Sequence, residues 1–395
     1  MRILCLTPWF PARPGAQSGN FILDSVSALA AEGHYLKVLV CTAWQPWGAG
    51  WLHEDFGRPG LQPHSHDPAL GVEKVSYLSI PRNYCRMLSR WLFKQRVQTA
   101  LQQAIRTFQP DVLIAHTEQA GALAVTVAAA SGLPTVIVLH GINPSPRLNT
   151  VAELALLRAT LCSAQRVVLV GEPLWQHFAR IAGRTEHFRI VPNGFRPPAP
   201  AQIRTVAPWP SCLRFISVSN LHEGKGIDLT LRALGKLQQQ GHGNWHYTIV
   251  GSGAERPLLQ TLVAGLGIVD KVRFAGAVDH DQVYALLAQA DVFVLPSWRE
   301  AFGVAWLEAM ACGLLAIGVR GQGPAAYIHD GDTGLLVAPK DVDDLASCLR
   351  RVMDEPVPMQ AIAARGQTLV QREFTWQAHA VRLAGICAEA VDALR

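Results

Sequence analysis

Two glutamates flank a strand-to-helix segment whose residue types suit the binding of an anion and of hydroxyl groups. Glu300 follows an apolar run that predicts a parallel strand, and Glu308 lies about two turns into the helical pattern beyond it. The backbone amides of Phe302, Gly303 and Val304 are expected to be free at the helix start, where the helix dipole favours phosphate. The more ordinary interpretation makes Glu300 a helix-start acid and Glu308 a solvated position.

A second strand-to-helix segment carries a cation between two glycines. Lys225 lies in a Gly-Lys-Gly loop after the apolar run 214–218. Glycine lets the backbone approach a ligand, and a lysine ammonium supplies a point charge to a phosphate. The segment is not a P-loop, because Ser219 replaces the first required glycine and Gly226 replaces the Ser or Thr. Gly251 begins a Gly-Ser-Gly turn after another predicted strand, which is a weak signal for a dinucleotide site.

Histidine and aspartate supply further candidates. His140 ends a predicted buried strand and precedes Gly141, at the sheet edge where open α/β folds bind ligands. A structural histidine is the alternative. Three Asp-x-Asp pairs would suit a metal-dependent transferase, but helix capping and turn formation account for all of them, so no metal site is expected. The pairs are Asp279 with Asp281, Asp330 with Asp332, and Asp341 with Asp343.

Short apolar runs alternate with helical patterns along the chain, which predicts β-α-β units and parallel sheets. The predicted strands are 3–6, 36–40, 112–115, 135–139 and 166–170, then 214–218, 247–250, 272–274, 292–295 and 315–319. A Pro-rich stretch at 196–212 interrupts the pattern like an interdomain linker. The predicted fold class is α/β, with doubly wound, Rossmann-like domains at 1–195 and 213–372.

Length and composition limit the class of protein. The 395 residues suffice for two or three domains. The eight cysteines are at least 36 residues apart, so no pair has zinc-ligand or redox spacing, and a cytoplasmic location fits best. The N-terminus lacks the apolar run of a signal peptide. The uncharged stretch 119–146 is broken near its middle by Gly132 and Pro134, so a helix and a strand are predicted there rather than a membrane span.

Together these motifs resemble the retaining family 4 glycosyltransferases of GT-B fold. The resemblance rests on the two glutamates with Phe302-Gly303 between them, on the Gly-Lys-Gly loop and on His140-Gly141. It includes Val191-Pro-Asn-Gly194 and Asp330-Gly-Asp-Thr-Gly334, and it covers nearly the whole chain. Bacterial members that build exopolysaccharide or cell-wall glycans are the most similar.

The resemblance implies an activity and a set of site residues. Two domains would face across a cleft, with residues 373–395 forming a C-terminal helix that crosses back to the first domain. A sugar would pass from a nucleotide-diphosphate donor to a glycan or lipid-linked acceptor with retention of configuration, and without a metal or other cofactor. Glu300 and His140 would be catalytic. The donor would contact Gly19, Asn220, Lys225, Gly251, Val278, Phe302, Gly303, Val304 and Glu308.

The resemblance also assigns a role to each part of the donor site, with one departure. Lys225 would bind the diphosphate, Glu308 the ribose hydroxyls, and the region around Val278 the base. Many members carry an arginine five residues before this lysine as a second diphosphate cation, whereas this chain has Asn220. A GT-B protein that binds a nucleotide-sugar without transferring it therefore stays open as an alternative. A retaining phosphorylase with pyridoxal phosphate is a third interpretation.

The first half of the chain is basic. Residues 1–195 carry 17 Lys/Arg against 11 Asp/Glu, and Arg86, Arg90 and Lys94 recur every four residues in a helical pattern. Like charges at this spacing repel along a helix, so an anionic partner is a reason for them. Beside an apolar face, they suit a helix on the inner surface of a cytoplasmic membrane with acidic lipids. The alternative is that the apolar face packs inside the domain.

The acceptor side has two aromatic candidates. Trp44 and Trp47 begin a long Gly/Pro-rich segment, and exposed aromatic rings suit sugar rings. The alternative is that they attach this segment to its own domain. The partners expected are thus a nucleotide-sugar, a glycan or lipid-linked acceptor and an anionic membrane, with no nucleic acid.

Overall fold

A computed structural model describes residues 1–11, 19–44, 70–78, 86–141, 150–203 and 208–394. The chain divides into two compact units. Unit 1 comprises Met1–Gly194 and Trp376–Arg395, and unit 2 comprises Phe195–Thr375. Unit 2 is therefore an insertion into the chain of unit 1. Residues 196–203 and 208–212, from the predicted linker, belong to unit 2.

Unit 1 contains a parallel sheet. Its strands are β1 (Arg2–Thr7), β2 (Tyr35–Trp44), β3 (Leu70–Leu78), β4 (Val112–His116), β5 (Thr135–Leu139), β6 (Arg166–Leu169) and β7 (Phe188–Ile190). Within the described residues they pair in the order β3-β2-β1-β4-β5-β6-β7. The five strands predicted in this half are confirmed. The sequence did not predict β3 and β7, because β3 is a half-polar edge strand and β7 has only three residues.

Helices cover both faces of this sheet. They are α1 (Asn20–Ala31), α2 (Arg86–Phe108), α3 (Glu118–Ala129), α4 (Val151–Ser163), α5 (Glu172–Ala182) and, after unit 2, α12 (Trp376–Asp392). Side chains of a strand alternate between faces. Ile3 of β1 accordingly packs into a core with α1 and α12, whereas Leu4 packs into a second core with Phe93 and Val97 of α2. This is the doubly wound arrangement that the sequence predicted.

The last helix of the chain completes unit 1. Ala380, Leu383 and Cys387 of α12 are buried in the same core as Ile3. Glu389 forms ion pairs with Arg166 and Arg189 at 3.0 Å each. The described fold of unit 1 thus includes residues from both sides of the insertion.

Unit 2 contains the second parallel sheet. Its strands are β8 (Leu213–Val218), β9 (Trp245–Val250), β10 (Val272–Gly276), β11 (Val292–Val294), β12 (Leu315–Val319) and β13 (Leu335–Val337). They pair in the order β10-β9-β8-β11-β12-β13 within the described residues. The five predicted strands are confirmed, and β13 escaped prediction because it has only three residues.

The helices of unit 2 follow its strands. They are α6 (Ile227–Gln239), α7 (Arg256–Gly265), α8 (His280–Leu287), α9 (Val304–Ala311), α10 (Val342–Asp354) and α11 (Pro356–Glu373). The buried carboxylate of Asp291, just before β11, accepts bonds from the backbone and guanidinium of Arg214 and fixes β11 beside β8. No described helix of the chain has the length and apolarity needed to cross a membrane.

Candidate functional site

Two loops of unit 2 bring together Lys225 and Glu300. Lys225 lies between β8 and α6, and Glu300 lies between β11 and α9. Because β8 and β11 are parallel neighbours, the loops after them leave the same edge of the sheet. Lys225 Nζ donates to Glu300 Oε2 at 2.6 Å, and the two side chains are only 17% and 15% exposed. Both residues were predicted from the sequence as site residues, but the ion pair between them was not.

Glycines allow the close approach of these loops. The carbonyl of Gly224 accepts bonds from Ser297 Oγ and from the backbone amide of Trp298, both at 3.1 Å. Gly226 has a φ of +69°, and a Cβ there would clash with the carbonyl oxygen of Pro296. A larger residue at position 226 would therefore push the loop 219–226, which carries Lys225 and is called the lysine loop below, away from the loop that carries Glu300.

The backbone of Glu300 is held by a third loop. Its amide donates to Gln322 Oε1 at 3.1 Å, and its carbonyl accepts from the amide of Gly323 at 2.9 Å. A Cβ on Gly323 would overlap the backbone of Phe302. Gln322 was not predicted from the sequence, although the Gly-x-Gly-Pro run after β12 was a signal that could have identified it.

The start of α9 presents backbone amides. Gly303 is the N-cap with a φ of +92°, and a Cβ there would lie 2.7 Å from the ring of Trp306. The buried hydroxyl of Tyr327 donates to the carbonyl of Gly303 at 2.5 Å, and Tyr327 was not predicted from the sequence. Within the described residues, the amides of Phe302, Gly303 and Val304 donate no hydrogen bond. This helix start can therefore accept an anion or a hydroxyl oxygen.

Glu308 is the other acid of this segment. The expectation that it lies about two turns into its helix is wrong, because α9 begins only at Val304 and Glu308 is its fifth residue. Its side chain is 12% exposed, which excludes the solvated alternative, and Oε1 lies 2.8 Å from His280 Nε2. The hydrogen bond to Glu308 raises the pKa of His280 and outweighs its partial burial. His280 was not predicted from the sequence.

The remaining donor candidates of unit 2 follow strand ends. Asn220 is exposed just after β8, and Val278 is partly buried after β10. Gly251 follows β9 with a φ of +131°, and its amide donates to the carbonyl of Gly276 at 2.8 Å. The structure thus places all three at the carboxyl edge of the same sheet as Lys225 and Glu300.

His140 lies in an aromatic and histidine cluster of unit 1. It follows β5, and its Nε2 lies 3.0 Å from Nδ1 of the buried His116. The ring centroid of Phe21 is 4.7 Å away. His140 Nδ1 is buried without a hydrogen-bond partner among the described residues. Burial first, and the neighbouring His116 and His379 next, hold the pKa of His140 well below its usual range. The imidazole is therefore neutral at pH 7.

Two further histidines extend this cluster. His379 of α12 bonds Ser25 Oγ and the carbonyl of Pro192, both at 2.8 Å. Burial lowers the pKa of His379 to about 4, and burial with the nearby His379 lowers that of His116 to about 3. The sequence did not predict this cluster, because its members come from distant parts of the chain.

The other candidates of unit 1 are placed as follows. Gly19 caps α1 with a φ of +84°, and a Cβ there would overlap the backbone of Phe10. Trp44 is the last residue of β2, and Arg86 and Arg90 lie in the first turns of α2. The side chains of all three lie outside the described part. Lys94 is exposed on α2. Trp47 lies outside the described residues.

Two of the three aspartate pairs have local roles. Asp341 accepts the amides of Asp343 and Asp344 and so caps α10. Asp330 accepts the amide of Leu336, and Asp332 pairs with Arg365 at 2.7 Å. Among the described residues, no group of three or more His, Cys, Asp or Glu side chains could hold a metal ion.

Comparison with known proteins identifies sequence relatives. Residues 18–197 match the family described as Glycosyltransferase Family 4, and residues 212–368 match the family described as Glycosyl transferases group 1. A glycogen synthase from Mycobacterium tuberculosis is 27% identical over 98% of this chain and 94% of its own length. The amylovoran biosynthesis glycosyltransferase AmsK from Erwinia amylovora is 29% identical over 68% of each chain.

Solved structures show the same fold. Sucrose-phosphate synthase from Thermosynechococcus elongatus superposes over all of both chains with a TM-score of 0.77 at 20% identity. HepE from Anabaena, solved in complex with UDP, has a TM-score of 0.73 over 98% of this chain and all of its own, at 18% identity.

Proposed function

We propose that this chain, which belongs to the family 4 glycosyltransferases of GT-B fold, moves a sugar from a nucleotide-diphosphate donor to an acceptor. The acceptor group is a hydroxyl of a glycan or of a lipid-linked molecule. The sugar keeps its anomeric configuration in the transfer. The observation that supports this most directly is the convergence of Lys225, Glu300 and the free amides of α9 at one sheet edge. A cation and amides suit phosphates, and a carboxylate suits sugar hydroxyls.

Each group has one role in this proposal. Lys225 binds the diphosphate, and Glu308 accepts hydrogen bonds from the ribose hydroxyls. The region around Val278 and the turn at Gly251 contact the nucleoside. Glu300 and the amides at 302–304 hold the transferred sugar. On the resemblance of the sequence, we extend the proposal to Gly19, for the phosphates, and to His140, for the reacting sugar.

The reaction breaks the bond between the anomeric carbon and the diphosphate oxygen and forms a bond from that carbon to the acceptor oxygen on the same face. The proton of the acceptor hydroxyl passes to an oxygen of the leaving diphosphate. Lys225 and the amides at the start of α9 stabilise the charge that develops on the diphosphate. The neutral imidazole of His140 is suited to hydrogen bonding with a sugar hydroxyl rather than to ion pairing. No metal is required in this scheme.

One observation favours a second candidate function. Asn220 is exposed at the position where the resemblance places a diphosphate cation, and its neutral amide adds no positive charge to stabilise the leaving group. The second candidate function is therefore binding of a nucleotide-sugar without transfer. Release of nucleoside diphosphate from the donor separates the two functions, because only the enzyme produces it.

The test is incubation of the full chain with UDP-, ADP- and GDP-sugars and a panel of glycan and lipid-linked acceptors. We expect release of nucleoside diphosphate from one donor, and a product whose anomeric configuration by NMR matches that of the donor. The same release is expected in EDTA. An inverted product overturns retention, and a loss in EDTA that added metal restores overturns the metal-free scheme.

The Glu308→Ala variant is expected to weaken binding of the nucleoside diphosphate by about 1.5–3 kcal/mol, because the ribose hydroxyls lose an ionised acceptor. Titration calorimetry with UDP, ADP and GDP measures this. Glu186→Ala, which removes an exposed carboxylate of unit 1, is the control and should bind like the wild type. Unchanged affinity in Glu308→Ala would refute the ribose role.

We also propose that α2 contacts anionic membranes. Leu88 and Trp91 are 46% and 55% exposed, whereas Phe93 and Val97 are buried, so the part of the apolar surface at Leu88 and Trp91 does not pack inside unit 1. The helix contains no acidic residue, and Lys94 is exposed beside Trp91. Apolar side chains beside cations favour a surface of acidic lipids, with about 1 kcal/mol for each cation near the surface.

Sedimentation with liposomes tests the membrane proposal. We expect binding to vesicles with acidic lipid, weaker binding at high salt, and loss of binding when Arg86, Arg90 and Lys94 are changed to Glu. Changing the exposed Arg273 and Arg350 of unit 2 to Glu is the control. If the wild type binds neither anionic nor neutral vesicles, the membrane role is wrong and a soluble acceptor is favoured.

A further inference from the structure

The charge of the candidate donor site is unfavourable for a diphosphate unless a second cation contributes. The ammonium of Lys225 already has a carboxylate partner, Glu300, at 2.6 Å. The carboxylate of Glu308 lies on the helix that follows. Two partly buried carboxylates thus lie beside one ammonium and the imidazole of His280, and the diphosphate is itself an anion. Asn220, at the place where the resemblance puts an arginine, is neutral.

Arg299 is a cation located beside this site. It immediately precedes Glu300, and its side chain is exposed. Among the described residues it forms no ion pair and no hydrogen bond, unlike Arg214 or Arg320 of the same unit, which pair with aspartates. Its guanidinium is therefore available to a ligand.

The contacts around Gly224 place Arg299 next to the lysine loop. The Cβ of Arg299 lies 3.5 Å from the position that a Cβ on Gly224 would occupy, and the ring of His222 lies 3.4 Å from the same position. The bond from the Trp298 amide to the Gly224 carbonyl fixes this approach. Because Lys225 directly follows Gly224, both cations border one short stretch of backbone.

The charge of Arg299 also reaches this loop. Burial lowers the pKa of His222 first, and the positive charges of Lys225 and Arg299 lower it further, against the opposing effect of Glu300. The pKa of His222 is therefore lowered chiefly by burial and further by these two cations. Lys225 and Arg299 thus both lie close enough to His222 to act on its charge.

We propose that Arg299 is the second cation for the diphosphate of the donor and replaces the arginine that the chain lacks at position 220. A guanidinium binds two phosphate oxygens at once through its planar fork, whereas Lys225 acts as a point charge. Arg299 supplies this charge from the loop of Glu300 instead of the loop of Lys225. The diphosphate therefore still meets two cations, as it would with an arginine at position 220. This inference rests on the proposed function, since it requires a nucleoside diphosphate at Lys225.

Titration calorimetry of the full chain with UDP, ADP and GDP tests the inference. For the diphosphate that the wild type binds, Arg299→Ala is expected to raise Kd by about 10-fold or more, the range for a hydrogen bond to a charged group. Arg299→Lys should retain part of the affinity. Arg273→Ala, an exposed arginine of the same unit, is the control and should leave Kd and the melting temperature unchanged.

Rescue separates a direct contact from a structural effect. Asn220→Arg in the Arg299→Ala background should restore most of the affinity, because it returns the cation from the other loop. Failure of this rescue, or an unchanged Kd in Arg299→Ala, overturns the inference while leaving the proposed function intact. If the wild type binds none of the three diphosphates and releases none from their sugars, the proposed function fails, and the role of Arg299 fails with it.

Discussion

The Glu300→Gln variant is expected to lose about 100-fold or more in kcat, the usual cost of removing one group that acts on the transition state. Its affinity for the nucleoside diphosphate should stay unchanged or rise. The reason is the 2.6 Å ion pair, because the neutral amide no longer competes with the diphosphate for the ammonium of Lys225. Steady-state kinetics with the donor and calorimetry with the diphosphate measure the two effects separately.

The opposite directions of these effects make the test specific. A merely structural role for Glu300 would reduce both affinity and kcat. Glu223→Gln, which changes an exposed carboxylate in the same lysine loop, is the matched control and should behave like the wild type. A normal kcat with a raised KM would show that Glu300 contributes only uniform binding, and the proposed role would then be wrong.

Unit 1 is expected to lose stability in mild acid. His116 and His379 have pKa values of about 3 and about 4 in the folded chain, chiefly because both are buried, whereas an unfolded histidine has a pKa of about 6.5. Below pH 6.5 the unfolded state therefore binds protons that the folded state does not. Their stabilising contribution is complete above pH 6.5 and decreases as the pH falls towards 4, by about 1.4 kcal/mol per pH unit for each histidine.

Hydrogen exchange at pH 7, 6 and 5, corrected for the intrinsic rate, measures this loss. Peptides from β4 and α12 should lose about 10-fold in protection per pH unit for each histidine once the pH is well below 6.5. Peptides from β8 and β9 serve as the internal control, because none of the described histidines of unit 2 is fully buried. Equal loss in both units, or none in unit 1, would contradict the expectation.

Periodicity was sufficient to predict most of the fold, because a buried parallel strand is a continuous apolar run. The runs 135–139 and 315–319 are such strands, with every residue buried. The strand at Leu70–Leu78 lacked this signal, since only Leu70 and Val75 of its nine residues are buried. The strand at Leu335–Val337 is too short to show a period.

The candidate site was predictable only in part. Glu300 and Lys225 were recognisable because glycines and strand ends surround them in the sequence. Their partners were not, because Gln322 and His280 reach the site through the order of strands in the sheet. Local sequence does not encode that order. For the same reason, Arg299 could be identified only from its proximity to Gly224 in the structure.

The insertion of unit 2 before α12 has a consequence for biosynthesis. Residues 376–392 leave the ribosome after all of Phe195–Thr375, so unit 2 is able to fold while unit 1 still lacks the helix that covers Ile3 and its neighbours. The nascent unit 1 then keeps the part of this core that α12 covers exposed throughout the synthesis of the inserted unit, with only α1 packed beside it. An apolar face that stays uncovered during translation is a site of aggregation and of chaperone binding. Slowed translation within Phe195–Thr375 would prolong that exposure, so the yield of folded protein should depend on the elongation rate there more than within 20–182.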